Sequence, residues 1–219
     1  MSRQMILTFH GLGEPPVSAT DGERKVWVPV AWFEAILDAL PARGVGLAFD
    51  DGNASDIEHA LPMLVRKERT ARFFLLAGKI GAPGHVDAEG AGRLDAAGMR
   101  VGSHGCHHRD WRTLTTEELE EELEASRRTF AEVLGHDVTE AACPFGSYDR
   151  RVLRAVRRAG YRRVYNSDGG TCDTHAWLAA RTTVHQDRPL GHWLDLAAGG
   201  AHHRPGPILR GKRLVKRLR

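Results

Sequence analysis

Short apolar, β-prone runs alternate with amphipathic stretches along the 219 residues. Seven runs predict strands: 5–10 (MILTFH), 44–50 (GVGLAFD), 72–78 (RFFLLAG), 99–104 (MRVGSH), 140–145 (EAACPF), 162–166 (RRVYN) and 178–184 (LAARTTV). Between them the apolar positions take up helical spacing. Pro29 suits the first turn of a helix whose stripe is Trp32, Phe33, Ile36, Leu37 and Leu40. Thr115 and Glu118 have the spacing of a capping box. It opens a helix that puts Leu119, Leu123, Phe130, Val133 and Leu134 on one face and ends at Gly135. The run RRVLRAVRRAG repeats the pattern and stops at Gly160. Strand and helix in regular alternation is the mark of parallel βα units. Seven strands with no long linker predict an α/β barrel of parallel strands, with an open doubly wound sheet as the alternative.

Either architecture gathers functional groups at the C-terminal ends of its strands. Those ends carry His10, Asp50 with Asp51, the stretch His104 to His108, and Pro144 to Gly146. Neighbouring residues of a strand point to opposite faces, so both carboxylates reach one pocket only if the strand turns there. Gly52 and Asn53 make that turn. His104 and His108 are four apart, which in one helical turn brings both imidazoles to the same side. A catalytic divalent ion commonly takes three protein ligands and keeps a position for water. Asp51 is the natural third ligand, with Asp50 then free beside that water. On spacing alone, His107 and Cys106 remain rival ligands.

Composition narrows the setting. No run of 18 apolar residues exists, and the first residues lack the long apolar region of a signal peptide, so a cytoplasmic protein is expected. Three cysteines without CxxC spacing fit reduced thiols. The formal charge is +3, yet the last ten residues alone hold six Lys or Arg. The chain therefore divides into a domain over 1–205 and a basic tail over 206–219. Such a tail is read as a solvated end or as a peripheral contact to the anionic inner face of a membrane. Basic residues elsewhere form no patch interleaved with aromatics, so no nucleic-acid partner is expected.

Three stretches in order, LAFDDGNAS, GSHGCHH and CPFGSYD, resemble the motifs of the metal-dependent polysaccharide deacetylases, carbohydrate esterases that remove N-acetyl groups from amino sugars. The resemblance extends from about residue 5 to about residue 185. It implies a distorted (β/α)7 barrel and an N-acetylated carbohydrate as substrate. It also implies one divalent metal, zinc first and cobalt, nickel or manganese after it. Asp50 matches the family's catalytic base, Asp51 its metal carboxylate, and His104 and His108 its ligand histidines, so His107 drops out. Gly105 stands where the family has Ser or Thr. Pro144, Phe145 and Gly146 match the third motif, in which the Phe145 backbone N–H helps form the oxyanion hole.

The departures are specific. Ala142 replaces the arginine that orients the base, and the late histidine motif that supplies a general acid has no counterpart. His185, His192, His202 and His203 read as surface histidines. His10, at the end of the first strand, is better placed as a substrate or proton-transfer contact. Arg181 resembles a late arginine of bacterial members and reads as structural, and Trp111 is a candidate for stacking on the sugar. Two other readings stay open: a small-molecule amidase of the same fold, and a non-catalytic sugar-binding relative.

Overall fold

All seven expected strands are present in the computed structural model, which describes residues 2–199, 211, 215 and 216. They are β1 (Arg3–Phe9), β2 (Val45–Asp51), β3 (Arg72–Leu75), β4 (Arg100–Ser103), β5 (Glu140–Ala142), β6 (Arg163–Asn166), and a seventh run split into β8 (Leu178–Ala180) and β9 (Thr182–Thr183). An eighth short strand, β7 (Thr171–Asp173), was not expected. It runs antiparallel to β1, pairing Arg3 with Asp173. The others are parallel, in the order β8-β6-β5-β4-β3-β2-β1-β9.

The split run closes the circle. Leu178–Ala180 pairs with Val164–Asn166 of β6, and two residues later Thr182 and Thr183 pair with Leu7 and Thr8 of β1. Arg181 sits at the crossing, its N–H donating to Asn166 O, while Val184 N–H donates to Thr8 O. The sheet is thus a distorted seven-stranded parallel barrel rather than an open doubly wound sheet. A second, two-stranded sheet joins Gly11–Leu12 to Trp27–Val28.

Helices of the described residues accompany the barrel: α1 (Asp21–Val26), α2 (Val30–Ala39), α3 (Leu61–Arg66), α4 (Ala88–Ala96), α5 (Thr116–Leu134), α6 (Arg150–Arg158) and α7 (Leu190–Gly199). Pro29 is the N-cap of α2, one position before the first turn. The Thr115–Glu118 capping box forms at α5, and Gly135 ends that helix at φ +74°. Alternation along the strands makes two apolar sets. Ile6, Ala48, Phe74, Ala142, Tyr165 and Ala179 form the smaller cluster, which fills the barrel. Phe9, Phe49 and Phe73 belong to the larger one. Their register places them side by side across β1, β2 and β3, with ring centroids 5.4 and 4.7 Å apart, and Phe33 of α2 meets the first two edge-on. Each such buried ring contributes about 1.5–3 kcal/mol, and the ladder fixes the register in which Asp50 and Asp51 end β2.

The expected boundary between 205 and 206 lies outside the described residues, as does most of the basic tail. Lys216 is described, and its Nζ lies 2.6 Å from Asp168 Oδ1. No helix among the described residues is long and apolar enough to cross a membrane.

Candidate active site

The C-terminal ends of β1, β2 and β4 deliver five of the expected groups, His10, Asp50, Asp51, His104 and His108, to one place. Asp51 Oδ1 lies 3.5 Å from His104 Nε2 and 3.5 Å from His108 Nε2. The three donor atoms fall within 4.8 Å of one another. Asp51 reaches this position because β2 ends there in a left-handed turn, with φ +75° at Asp51 and +67° at Gly52. His108, at φ +53°, is also left-handed. Such backbone costs about 1–3 kcal/mol per non-glycine residue and is kept where the surroundings impose it.

The donor set fits a divalent cation. His104 is buried, and its Nδ1 lies 2.8 Å from the carbonyl of Ala142. That contact calls for a proton on Nδ1 and leaves the Nε2 lone pair facing Asp51, the tautomer a metal ligand needs. Burial, with smaller contributions from neighbouring charges, brings the His104 pKa down to about 3, so the ring is neutral near pH 7. Burial likewise lowers His108. Asp51 Oδ1 is buried with no hydrogen-bond partner, and burial pushes its carboxyl up to about 6. An uncompensated buried carboxylate facing two neutral imidazoles is a site short of positive charge.

Asp50 is held by a residue that the sequence left without a catalytic role. Arg181 Nη1 and Nη2 donate to Asp50 Oδ1 and Oδ2 at 2.5 and 2.7 Å, a bidentate pair in which both side chains are buried. Arg181 reaches Asp50 from the split seventh run, while Ala142, where the resemblance implies an arginine, has no side chain that could do so. Burial raises the Asp50 pKa, but Arg181 first and His104 next outweigh it and hold the carboxyl far below the usual range. His10 Nε2 lies 4.0 Å from Asp50 Oδ2. Asn53 Nδ2 donates to His10 O at 2.7 Å and ties the end of β1 to the turn after β2.

The histidine loop has its own support. Glu122 of α5 is buried, and its Oε1 accepts the N–H groups of Cys106 and His107, both at 2.8 Å. Gly105 is at φ +82°, and a Cβ there would come within 2.9 Å of that carboxylate oxygen, which explains why no Ser or Thr stands at this position. Glu122→Ala leaves two buried donors unmade at about 1–3 kcal/mol each. A fall in melting temperature of roughly 5–10 °C is expected, with loss of metal affinity, whereas Glu122→Gln keeps an acceptor and most of both. Thermal unfolding and metal titration of the two variants check this.

At the third motif, Gly146 N–H donates to Cys143 O and Ser147 N–H to Pro144 O, so the Phe145 N–H belongs to neither bond. Pro144 and Gly146 are buried, while Phe145 is 65% exposed at φ +57°, its ring 4.4 Å from that of His108. Of this motif, it is Phe145 that presents surface to a ligand. Trp111 is a correction: it is fully buried, part of the main core, and offers no face to a sugar. His185 and His192 pack edge-on against Trp193 and do not border the cleft beside the ligands. His202 and His203 lie outside the described residues. Burial pushes the Cys106 and Cys143 thiols up to about 11 and 12, so neither is a nucleophile.

The cleft measures about 400 Å³ and is bordered by His10, Asp51, His107, His108, Glu23 and Lys79 among others. His107 thus lines the site without joining the donor set.

A family model described as polysaccharide deacetylase matches residues 38–164. The peptidoglycan-N-acetylmuramic acid deacetylase PdaA of Bacillus subtilis is 25% identical over 122 residues, which cover 54% of this chain and 44% of PdaA. The chain therefore spans less than half the length of the curated relatives it matches. Among solved structures, deacetylase PplD of Streptococcus pyogenes, in complex with acetate, superposes with a TM-score of 0.77 at 18% identity, covering 88% of this chain and 97% of that one. IcaB from Ammonifex degensii gives 0.74 at 21% identity, covering 89% and 95%. The superpositions show a shared fold. The family match spans more than half the chain and contains Asp50, Asp51, His104, His108 and the Phe145 turn, and on it this chain belongs to the polysaccharide deacetylase family.

Proposed function

We propose that this chain hydrolyses the N-acetyl group of an amino sugar in a polysaccharide or in its biosynthetic intermediate. The observation that carries the reading is the Asp51–His104–His108 donor set with the Arg181-held Asp50 beside it. Asp51, His104 and His108 would hold one divalent cation, zinc by preference for two imidazoles and a carboxylate, and a cation there supplies Lewis acidity and a more acidic water.

The chain's own groups do the rest. Asp50, kept ionised by Arg181, takes a proton from the attacking water. The Phe145 N–H donates to the oxygen of the tetrahedral intermediate, a contribution of about 2.7–4 kcal/mol for one such donor. His10 gives a proton to the departing nitrogen, because an amide nitrogen leaves poorly as an anion. The C–N bond breaks, and acetate and a free amine result. Buried thiols at Cys106 and Cys143 suit a reducing, cytoplasmic setting.

The test is acetate release from N-acetylglucosamine oligomers, with elemental analysis of the protein. One divalent ion per chain is expected, with turnover lost on chelation and restored by zinc. Asp50→Asn is expected to keep the metal and lose about 10²–10⁴-fold in rate. Bound metal with no acetate from any N-acetylated sugar would sink the reading.

A further inference from the structure

Helix α6 carries its charge unevenly. Its sequence, RRVLRAVRR, holds five arginines and no acidic residue, with Val152, Ala155 and Val156 on the buried side. Two of the arginines are satisfied within the protein: Arg151 donates to the carbonyls of Trp111 and Arg112, and Arg158 pairs with Glu120 of α5. Arg150, Arg154 and Arg157 are exposed, and among the described residues they have no hydrogen-bond acceptor or acidic partner. Four and three positions apart, they stand in one row along the helix, where like charges repel. Folding gains nothing from that row. It borders a groove, because the connection from β6 to β8 contains β7 and no helix. The flank of α6 turned away from Glu120 therefore meets Ala176, Trp177 and Leu178 across a concavity of about 520 Å³, with Leu153 completing the apolar lining. Trp177 is held in place: its Nε1 donates to Tyr161 O at 3.2 Å, and its own carbonyl accepts from Val164 N–H at 2.8 Å. The Arg157 guanidinium lies over the indole, 4.2 Å from the ring centroid. No single stretch of sequence shows this patch, because Trp177 comes from beyond β7.

We propose that this groove and its arginine row form a docking surface for a bilayer containing anionic phospholipid. Charge complementarity makes the partner an anion, since three guanidiniums without carboxylates hold donors suited to phosphate oxygens. The lining makes it a lipid. Leu153, Ala176, Trp177 and Leu178 offer a free phosphate nothing, whereas an indole flanked by apolar side chains and cations matches the level of a bilayer where headgroup meets hydrocarbon. Arg157 also covers one face of Trp177, the platform on which a nucleic-acid base would stack. The surface is distinct from the basic tail and independent of the deacetylase reading. None of the groove's residues borders the cleft beside the metal-ligand residues, so docking on this wall of the barrel leaves the cleft open to substrate.

The experiment is co-sedimentation of the full chain with vesicles of phosphatidylcholine alone and of an equal mixture with phosphatidylglycerol. Wild type is compared with Arg150→Gln, Arg154→Gln and Arg157→Gln, singly and combined, and with a chain lacking residues 206–219, each checked for an unchanged melting temperature. Wild type is expected to bind the mixed vesicles and not the neutral ones. Each arginine removed should cost about fivefold in partitioning and the triple variant about 10²-fold, with the same losses when the tail is absent. If the triple variant does not fold, the three single variants decide in its place. No binding to the mixed vesicles overturns the proposal, as does binding that the arginine variants leave intact and tail deletion abolishes. Release of the bound protein by millimolar inorganic phosphate at constant ionic strength would make the site one for a free anion. Tighter, arginine-dependent binding to a short single-stranded RNA or to polyglutamate would make the partner another polyanion. Either result overturns the lipid assignment.

Discussion

Arg181→Met is expected to lower acetate release by about 10³-fold while leaving the metal ligands in place, because it disables the base rather than the metal site. Arg181 is the only cation in bidentate contact with Asp50 among the described residues, and both groups are buried. Removing one partner of a buried pair costs about 3–5 kcal/mol, here a fall of roughly 10 °C in melting temperature. Lysine restores a charge but not the two-pronged geometry, so Arg181→Lys should recover stability better than rate. The pH dependence gives the clearest readout. In the wild type the folded pKa of Asp50 is depressed, so its contribution to stability is present above the unfolded value of about 3.9 and fades as pH falls through the folded one. Without Arg181 the largest opposition to burial is gone and only the histidines remain against it, the carboxyl moves up, and protonation on acidification relieves the variant. The difference in melting temperature should therefore be largest near neutral pH and shrink toward pH 4. The acid limb of kcat/KM should move upward in parallel.

His104→Ala should abolish both metal content and acetate release. Partners that merely hold a ligand histidine are worth about 10–100-fold in metal affinity, so loss of the ligand itself should exceed 100-fold. His107→Ala is the informative comparison. Its ring borders the cleft but lies outside the donor set, so the metal should remain. Elemental analysis and chelator competition on the two proteins separate the assignments that spacing alone left open, and retention of metal by His104→Ala would show the ligand set to be wrong.

The parts legible in the sequence were those with a local pattern. Seven strands show themselves because alternating residues face either the barrel interior or the helices, and capping residues mark where α5 starts and stops. The two-residue strands Gly11–Leu12 and Trp27–Val28 are too short to carry any period, and β7 pairs antiparallel to β1 from 168 positions away. Arg181 has no partner legible in the sequence, since Asp50 lies 131 residues earlier and only barrel closure brings them together. Glu122 carries a signal that its neighbours obscure. In a helix crowded with glutamates it falls on the buried stripe of Leu119, Leu123, Ser126 and Phe130, where an acid needs a reason to be. Trp111 misled for the opposite reason, because adjacency to the histidine motif says nothing about which way a side chain turns.

The split seventh strand bears on how small a folded unit of this chain can be made. Residues 38–164, the span the family has in common here, contain Asp50, Asp51, His104 and His108 but lack β1, β7, β8, β9 and the second half of β6. Cut to that span, the sheet would present two raw edges, at β2 and at β5 with the two-residue stub of β6, each a row of unpaired amides and carbonyls inviting another chain. His10 and Arg181 would go with the missing strands, so one excision would remove the lock of the barrel together with the imidazole and the guanidinium that face Asp50. Portability in this protein stops at the ring: a working excised unit has to run from β1 through Val184, the residue that ties the last strand back to the first.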